Sequence, residues 1–158
     1  MSKLYVDEIH PKTSGGAVTR PDLPAIFVQG NNATNTTVPA ANVLTPANFT
    51  TSSSGGFAQG GMSYSTSTGE IIIPVSGVYK IYGQFYVNAA AQSARIAIKV
   101  NNNPRALAHR SPDENQGTVH TEVVLKLNAN DRITFISGYT TTIYFGYAHT
   151  FYTAYLVG

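Results

Sequence analysis

GEIIIPVSGVYKIYGQFYV, the stretch from residue 69 to residue 87, decides the fold class of this chain. It begins with a short run of β-branched apolar residues, Ile71 to Ile73, and Pro74 and Gly77 end that run. From Val78 to Val87 bulky and polar residues alternate with a period of two, which is typical of a β-strand with two different faces. The stretch therefore predicts two strands that are joined at a corner.

The corner has the pattern Pro-x-x-Gly-Val-Tyr, from Pro74 to Tyr79, and a tyrosine-rich strand follows it. This pattern resembles the core signature of the C1q/tumour-necrosis-factor (C1q/TNF) jelly-roll family. The resemblance implies an all-β, C1q/TNF-like jelly-roll β-sandwich over residues 23–158, preceded by an extended N-terminal arm, residues 1–22. Four more segments match the family in order, namely PAIFVQGN (24–31), RIAIKVNNNPRAL (95–107), VVLKLNANDRITFIS (123–137) and FYTAYLV (151–157).

Composition agrees with a single domain that has a polar but nearly uncharged surface. The 158 residues are enough for one core, and 42% of them are apolar. Only 11% are charged, and the formal net charge is +2. Because this charge is small and the lysines and arginines are scattered, we expect neither nucleic acid nor an acidic membrane surface as a partner.

The chain contains no cysteine, which excludes disulfides, thiolate metal sites and thiol nucleophiles. Its first residues, MSKLYVDEIHP, lack the apolar region and the cleavage site of a secretory signal, so we expect no classical secretion. No apolar run approaches the roughly 20 residues that a membrane-spanning helix needs, so we expect no membrane insertion.

Residues 1–22 differ from the rest because breakers surround a single short apolar segment. The opening KLYVDEIH, followed by a Ser-Gly-Gly turn, is similar to the starts of bacteriophage and cyanophage tail-fibre and head-surface proteins. The resemblance implies that this arm attaches the protein to a virion, on the major capsid protein or a tail component. The alternative is an arm that adds an edge strand to its own domain. The residues expected to anchor it are Leu4, Tyr5, Val6 and Ile9.

Bulky side chains occur on both faces of two predicted strands, residues 78–87 and residues 151–157. One sandwich interior cannot contain them all, so something else must cover the second face. In the resembled family that face meets two other subunits around a threefold axis, which predicts a homotrimer. The alternative is that the phenol rings are simply exposed. The residues predicted at the trimer interface are Tyr82, Tyr86, Tyr152 and Leu156.

Catalytic and metal-binding motifs are missing from the sequence. The four histidines do not have the spacing of a metal or zincin motif, and neither a phosphate-binding loop nor a nucleophile elbow occurs. His120 and Glu122 would share a strand face, where an ordinary solvent-facing pair is favoured over a metal pair. The adjacent Asp113 and Glu114 are expected to cap a turn, with a weak calcium site as the alternative. We therefore predict no enzymatic activity, catalytic residue, metal or cofactor.

Two classes of function remain. The first is a virion structural protein, a trimeric knob that decorates or cements a phage capsid; it would be made in the host cytoplasm and located on the virion surface. The short arm favours this hypothesis, because a fibre that reaches a host receptor needs a long shaft. The second is a short tail fibre or receptor-binding module that recognises host glycan through Tyr139, Tyr144 and Tyr147, which we expect in loops.

Overall fold

The computed structural model describes residues 23–31, 33–44, 48–51, 55–88, 93–110 and 117–158. Over these ranges the chain is built from β-strands. No helix within them is long and apolar enough to cross a membrane. The predicted arm, residues 1–22, lies outside the described residues. The strands are β1 Ala25–Gly30, β2 Asn35–Val38, β3 Phe49–Thr50, β4 Phe57–Gln59, β5 Ser63–Tyr64, β6 Ile71–Ile72, β7 Gly77–Val87, β8 Ala94–Val100, β9 Asn103–Arg110, β10 Gly117–Leu127, β11 Arg132–Ser137, β12 Thr141–Tyr144 and β13 Phe151–Leu156.

The strands form two antiparallel sheets with the apolar core between them. The large sheet has the order β2-β12-β7-β13-β1-β3, with β10 also paired to β7 and β4 also paired to β1. The small sheet has the order β5-β6-β11-β8-β9. The predicted all-β jelly-roll sandwich is confirmed.

Strand β7 is the central strand of the large sheet. It pairs with β10 along its whole length, and its other edge pairs with β13 and then with β12. Its alternate side chains, among them Tyr79, Ile81 and Phe85, point into the core and are fully buried. At the corner that precedes it, the Tyr79 hydroxyl donates a hydrogen bond of 2.9 Å to the carbonyl oxygen of Val75. The predicted corner is therefore held by its own tyrosine.

Local turn chemistry connects several of the strands. Asn101 and Asn102 join β8 to β9 with φ angles of 49° and 65°, in the left-handed region that asparagine tolerates better than most residues. Asn130 has a φ of 70° between β10 and β11. The Asp131 carboxylate accepts hydrogen bonds from the Asn128 backbone at 2.8 Å and the Asn101 side-chain amide at 2.7 Å, and so ties the two turns together.

Aromatic rings from both sheets meet in the core. The ring of Tyr152 on β13 stacks on Phe135 of β11 with centroids 4.5 Å apart, and its centroid lies 4.7 Å from that of Phe49. Gly83 on β7 pairs with Tyr152, and a Cβ at this glycine would overlap the Phe135 ring. The missing side chain of Gly83 is therefore what makes room for a ring between the sheets.

Replacing Gly83 by alanine is expected to destabilise the fold by about 1–3 kcal/mol, because the added methyl group overpacks the core. Urea denaturation of Gly83→Ala measures the change. Gly158→Ala is the matched control, since a Cβ at that terminal glycine would meet no atom within 4 Å. Equal stability of the two variants would contradict the described packing of Phe135.

Burial also changes the ionisation of two core tyrosines. Burial raises the pKa of Tyr64 to about 12, although a hydrogen bond with Tyr152 partly offsets the rise. Burial raises the pKa of Tyr152 well above its ordinary value, and Tyr64 raises it further. Both phenols therefore keep their protons in the folded state at pH values where an unfolded tyrosine, with a pKa of about 10, loses its proton.

We expect stability to fall as the pH rises from about 10 to 12, because the unfolded state then binds fewer protons than the folded state. Each such tyrosine contributes a slope of about 1.4 kcal/mol per pH unit within that window. Urea midpoints measured at several pH values give this slope. Tyr64→Phe should show a shallower decline than the wild type, and identical slopes would show that Tyr64 does not ionise on unfolding.

Candidate functional site

The outer surface of the large sheet is the candidate site. On β7 the side chains of Lys80, Tyr82, Gln84 and Tyr86 alternate with the core residues and remain half-buried on the outside. Neighbouring strands add further rings to this surface. We call it the aromatic face and define it by Phe27, Phe57, Tyr82, Tyr86, Phe151 and Tyr155.

A row of rings crosses the aromatic face from β4 to β10. Phe57 stacks on Phe27 with centroids 6.4 Å apart, and Phe27 lies 5.3 Å from Phe151. Phe151 lies 5.8 Å from Tyr82, and Tyr82 stacks on His120 at 6.3 Å. Aromatic pairs at these separations contribute about 0.5–1.5 kcal/mol each beyond the area that they bury. The row therefore stiffens the face, although one side of each ring still points away from the core.

A second group of rings lies at the β12 edge of the same face. Tyr86 meets Tyr144 at 6.2 Å and His149 at 5.4 Å, and Tyr144 meets His149 at 5.3 Å. The buried hydroxyl of Thr150 fixes this group, because it accepts a hydrogen bond from the Tyr86 backbone at 3.0 Å and donates one to the Tyr144 carbonyl at 2.7 Å. The segment after β12 is thereby held against the sheet.

One ion pair lies beside the row of rings. Lys80 Nζ is 3.2 Å from Glu122 Oε2 on the neighbouring strand β10. The hydrogen bond to Glu122 raises the pKa of Lys80. Partial burial, with a smaller contribution from the Glu122 charge, raises the pKa of Tyr82. The two charges therefore offset each other beside the row of rings.

The face ends in an apolar groove where β1 begins and β13 ends. The groove has a volume of about 480 Å³, and Leu23, Phe57, Tyr155 and Leu156 contribute to its walls. Phe57 is 45% exposed and Tyr155 is 38% exposed. Val124, 57% exposed, lies on β10 at the other side of the sheet. Large apolar side chains are thus exposed at both margins of the aromatic face.

The sequence prediction was wrong for Tyr152 and Leu156. Their side chains lie on the inner side of β13, where Tyr152 is buried at the centre of the core and Leu156 packs against its margin. The outward residues of this strand are Phe151 and Tyr155. Tyr82 and Tyr86 do lie on the outer face, and their role at a trimer interface stays a prediction.

The error on β13 has a physical reason. Both faces of FYTAYL carry a ring, so alternation alone does not say which side is the inside. The pairing register decides, because Tyr152 lies opposite Gly83, and Gly83 faces the Phe135 ring between the sheets. The available signal was a glycine in the interior of a strand, which marks a close approach by another group.

The remaining predicted residues are spread over different parts of the chain. Tyr139 and Tyr147 are exposed in loops, as predicted, but Tyr144 is the last residue of β12 and its ring packs against Tyr86 of the aromatic face. Tyr139 lies against His109 of the small sheet, with centroids 5.9 Å apart. The arm residues and the acidic turn lie outside the described residues, namely Leu4, Tyr5, Val6, Ile9, Asp113 and Glu114.

The described residues contain no group of three or more histidine or acidic side chains that is arranged to hold a metal ion. His120 and Glu122 do lie on one face of β10, as predicted, where His120 stacks on Tyr82 and Glu122 pairs with Lys80. The chemistry that this surface offers is therefore contact through rings and apolar side chains.

Solved structures with the same fold include Eiger TNF and murine APRIL. Eiger TNF from S. frugiperda superposes with a TM-score of 0.73 at 16% sequence identity, over 88% of this chain and 94% of that chain. Murine APRIL superposes with a TM-score of 0.65 at 12% identity, over 85% of this chain and 98% of that chain. At such identities the similarity shows the fold alone. No curated protein matches the sequence significantly.

The family model of the C1q domain matches residues 32–157. This range contains every strand from β2 to β13, including the corner before β7 and most of the aromatic face. Domains of the C1q/TNF type typically form homotrimers. The chain belongs to the C1q domain family.

Proposed function

We propose that this protein is a non-enzymatic, homotrimeric structural protein of a bacteriophage virion, most simply a knob that decorates or cements the capsid. The observation that carries the assembly is the aromatic face, where rings from five strands form a continuous outer surface that the core of one chain does not use. C1q/TNF-like domains generally serve as binding or structural modules, which supports a role without catalysis.

The aromatic face supports a trimer for energetic reasons. Covering apolar surface contributes about 25 cal/mol per Å², so a few exposed side chains such as Phe57, Val124 and Tyr155 represent several kcal/mol before the entropy of association is subtracted. A contact between this face and a different surface of the next subunit is heterologous. Three such contacts close into a ring and leave no aromatic face exposed at an open end.

The virion role rests on the N-terminal segment. Residues 1–22 resemble the leaders of phage tail-fibre and head-surface proteins, and their apolar residues would dock on the capsid or on a tail component. A knob needs only a head that assembles and a segment that attaches it, which agrees with a sequence that carries no catalytic motif. The competing role is a short tail fibre, which would be present in far fewer copies.

Tyr155→Arg is expected to shift the protein from trimer to monomer, because it places a charge on the covered face. Tyr139→Arg is the matched control, since Tyr139 is 41% exposed against 38% for Tyr155 but lies against the small sheet. Sedimentation velocity compares both variants with the wild type, which should sediment at three times the 16.9 kDa chain mass. A monomeric wild type, or equal dissociation of both variants, would refute the proposed interface.

Deleting residues 1–22 is expected to leave a soluble trimer that no longer joins phage particles. Co-sedimentation with particles measures attachment, and circular dichroism checks that the shortened chain is folded. Loss of folding would instead assign the segment to the domain itself.

Copy number on a quantified virion gel separates the two virion roles, because decoration requires hundreds of chains per particle whereas a tail fibre requires a handful.

A further inference from the structure

A cleft on the outer side of the small sheet has a different character from the aromatic face. It has a volume of about 320 Å³, within the range of small-ligand pockets, and lies between β8, β9 and the loop after β11. Its walls combine a cation, a phenol ring, an imidazole ring and exposed apolar surface. The lining residues are Arg95, Leu107, Ala108, His109 and Tyr139.

Local contacts hold the two segments that carry Arg95 and Tyr139 at this cleft. Gly138 donates its N–H to the carbonyl oxygen of Arg95, which ties the loop to β8. A Cβ at Gly138 would lie only 2.7 Å from Cδ of Arg95, so the stem of the arginine packs directly on the glycine backbone. The fully buried hydroxyl of Ser137 donates a hydrogen bond to the carbonyl oxygen of Tyr139. These contacts hold the backbone of Tyr139 and the stem of Arg95 beside the cleft.

The charge of Arg95 has no acidic partner among the described residues. Among the described residues the cleft is lined by two basic side chains, Arg95 and His109, and by no carboxylate. The acidic side chains that the structure describes are engaged elsewhere: Glu70 with Arg132, Glu122 with Lys80, and Asp131 with the turns at Asn101 and Asn128. A guanidinium placed in this way is suited to bind a carboxylate with two parallel hydrogen bonds.

We propose that this cleft binds an acidic monosaccharide unit, a sugar ring that carries a carboxylate. Arg95 would bind the carboxylate, the exposed side of the Tyr139 ring would stack on the apolar face of the sugar, and His109 would hydrogen-bond a hydroxyl. Leu107, which is 53% exposed, extends the apolar wall. The volume fits one sugar unit, which predicts recognition of a single residue within a longer glycan.

The cleft is independent of the proposed assembly. It lies on the small sheet, whereas the aromatic face is the outer side of the large sheet, so covering the aromatic face of a chain does not cover the cleft of the same chain. Each chain contains all the lining residues of one site. Sugar binding is therefore expected from trimer and monomer alike, and its failure can be distinguished from failure of the trimer.

The test uses the full-length protein with two acidic probes, trigalacturonate and sialyllactose, and their neutral counterparts, the methyl ester of trigalacturonate and lactose. Titration is followed by the amide resonance of Gly138 and by calorimetry. At least one acidic probe should bind, and its neutral counterpart should bind about ten-fold or more weakly, because the ester or lactose offers no carboxylate to Arg95. Failure of both acidic probes, or equal binding of acid and neutral forms, would overturn the proposal.

Variants assign the binding to the cleft. Arg95→Gln and Tyr139→Ala should each weaken acidic-sugar binding about ten-fold or more, whereas Lys99→Gln should not, because Lys99 lies on the same strand but outside the cleft. An equal loss with Arg95→Gln and Lys99→Gln would indicate nonspecific charge attraction and refute the site. Acetate is the last control: if it displaces the sugar at equal concentration, the ring contributes nothing and the proposal fails.

Discussion

The inward and outward alternation of β7 is the constraint on which the rest of the structure depends. Because β7 is paired along both edges, the side that its residues face also sets the side that β10, β12 and β13 face. Ile81 and Phe85 enter the core on one side, and Tyr82 and Tyr86 build the aromatic face on the other. A shift of one residue would exchange the core with the outer surface throughout the large sheet.

The sequence predicts the strands of this fold better than it predicts which side of each strand points into the core. The corner before β7, the hairpin at Asn101 and the turn at Asn130 follow from turn chemistry that acts over a few residues, so short motifs are enough to find them. Which side of β13 points into the core depends on pairing with a strand about 70 positions away in the sequence, where Gly83 lies opposite Tyr152. With bulky residues on both sides of β13, only the tertiary register decides. Tyr144 was misplaced for a similar reason, since a strand of four residues between loops carries little periodic signal.

The two sheets divide the surface into regions with different chemistry. On the large sheet the rings contact one another and the charges of Lys80 and Glu122 offset each other, which favours contact with another apolar surface. On the small sheet Arg95 and Lys99 point outward from β8, and the described acidic side chains have partners elsewhere. A surface of this kind favours anionic ligands over a second apolar surface.

Gly83 and Gly138 have the same physical role in different parts of the structure: each allows another group to pack closely against the backbone. At Gly83 the missing side chain admits an aromatic ring into the core, and at Gly138 it admits the stem of Arg95 beside the cleft. Neither glycine has a positive φ, so the backbone conformation does not explain why these positions are glycine. Each position is glycine because a side chain there would have no space. A glycine within or beside a strand whose neighbours do not signal a turn therefore indicates a close approach by a distant group. Such a glycine can be recognised in the sequence, and it indicates the position that another group approaches. It does not indicate which residue approaches. Only the register of the sheets identifies that residue.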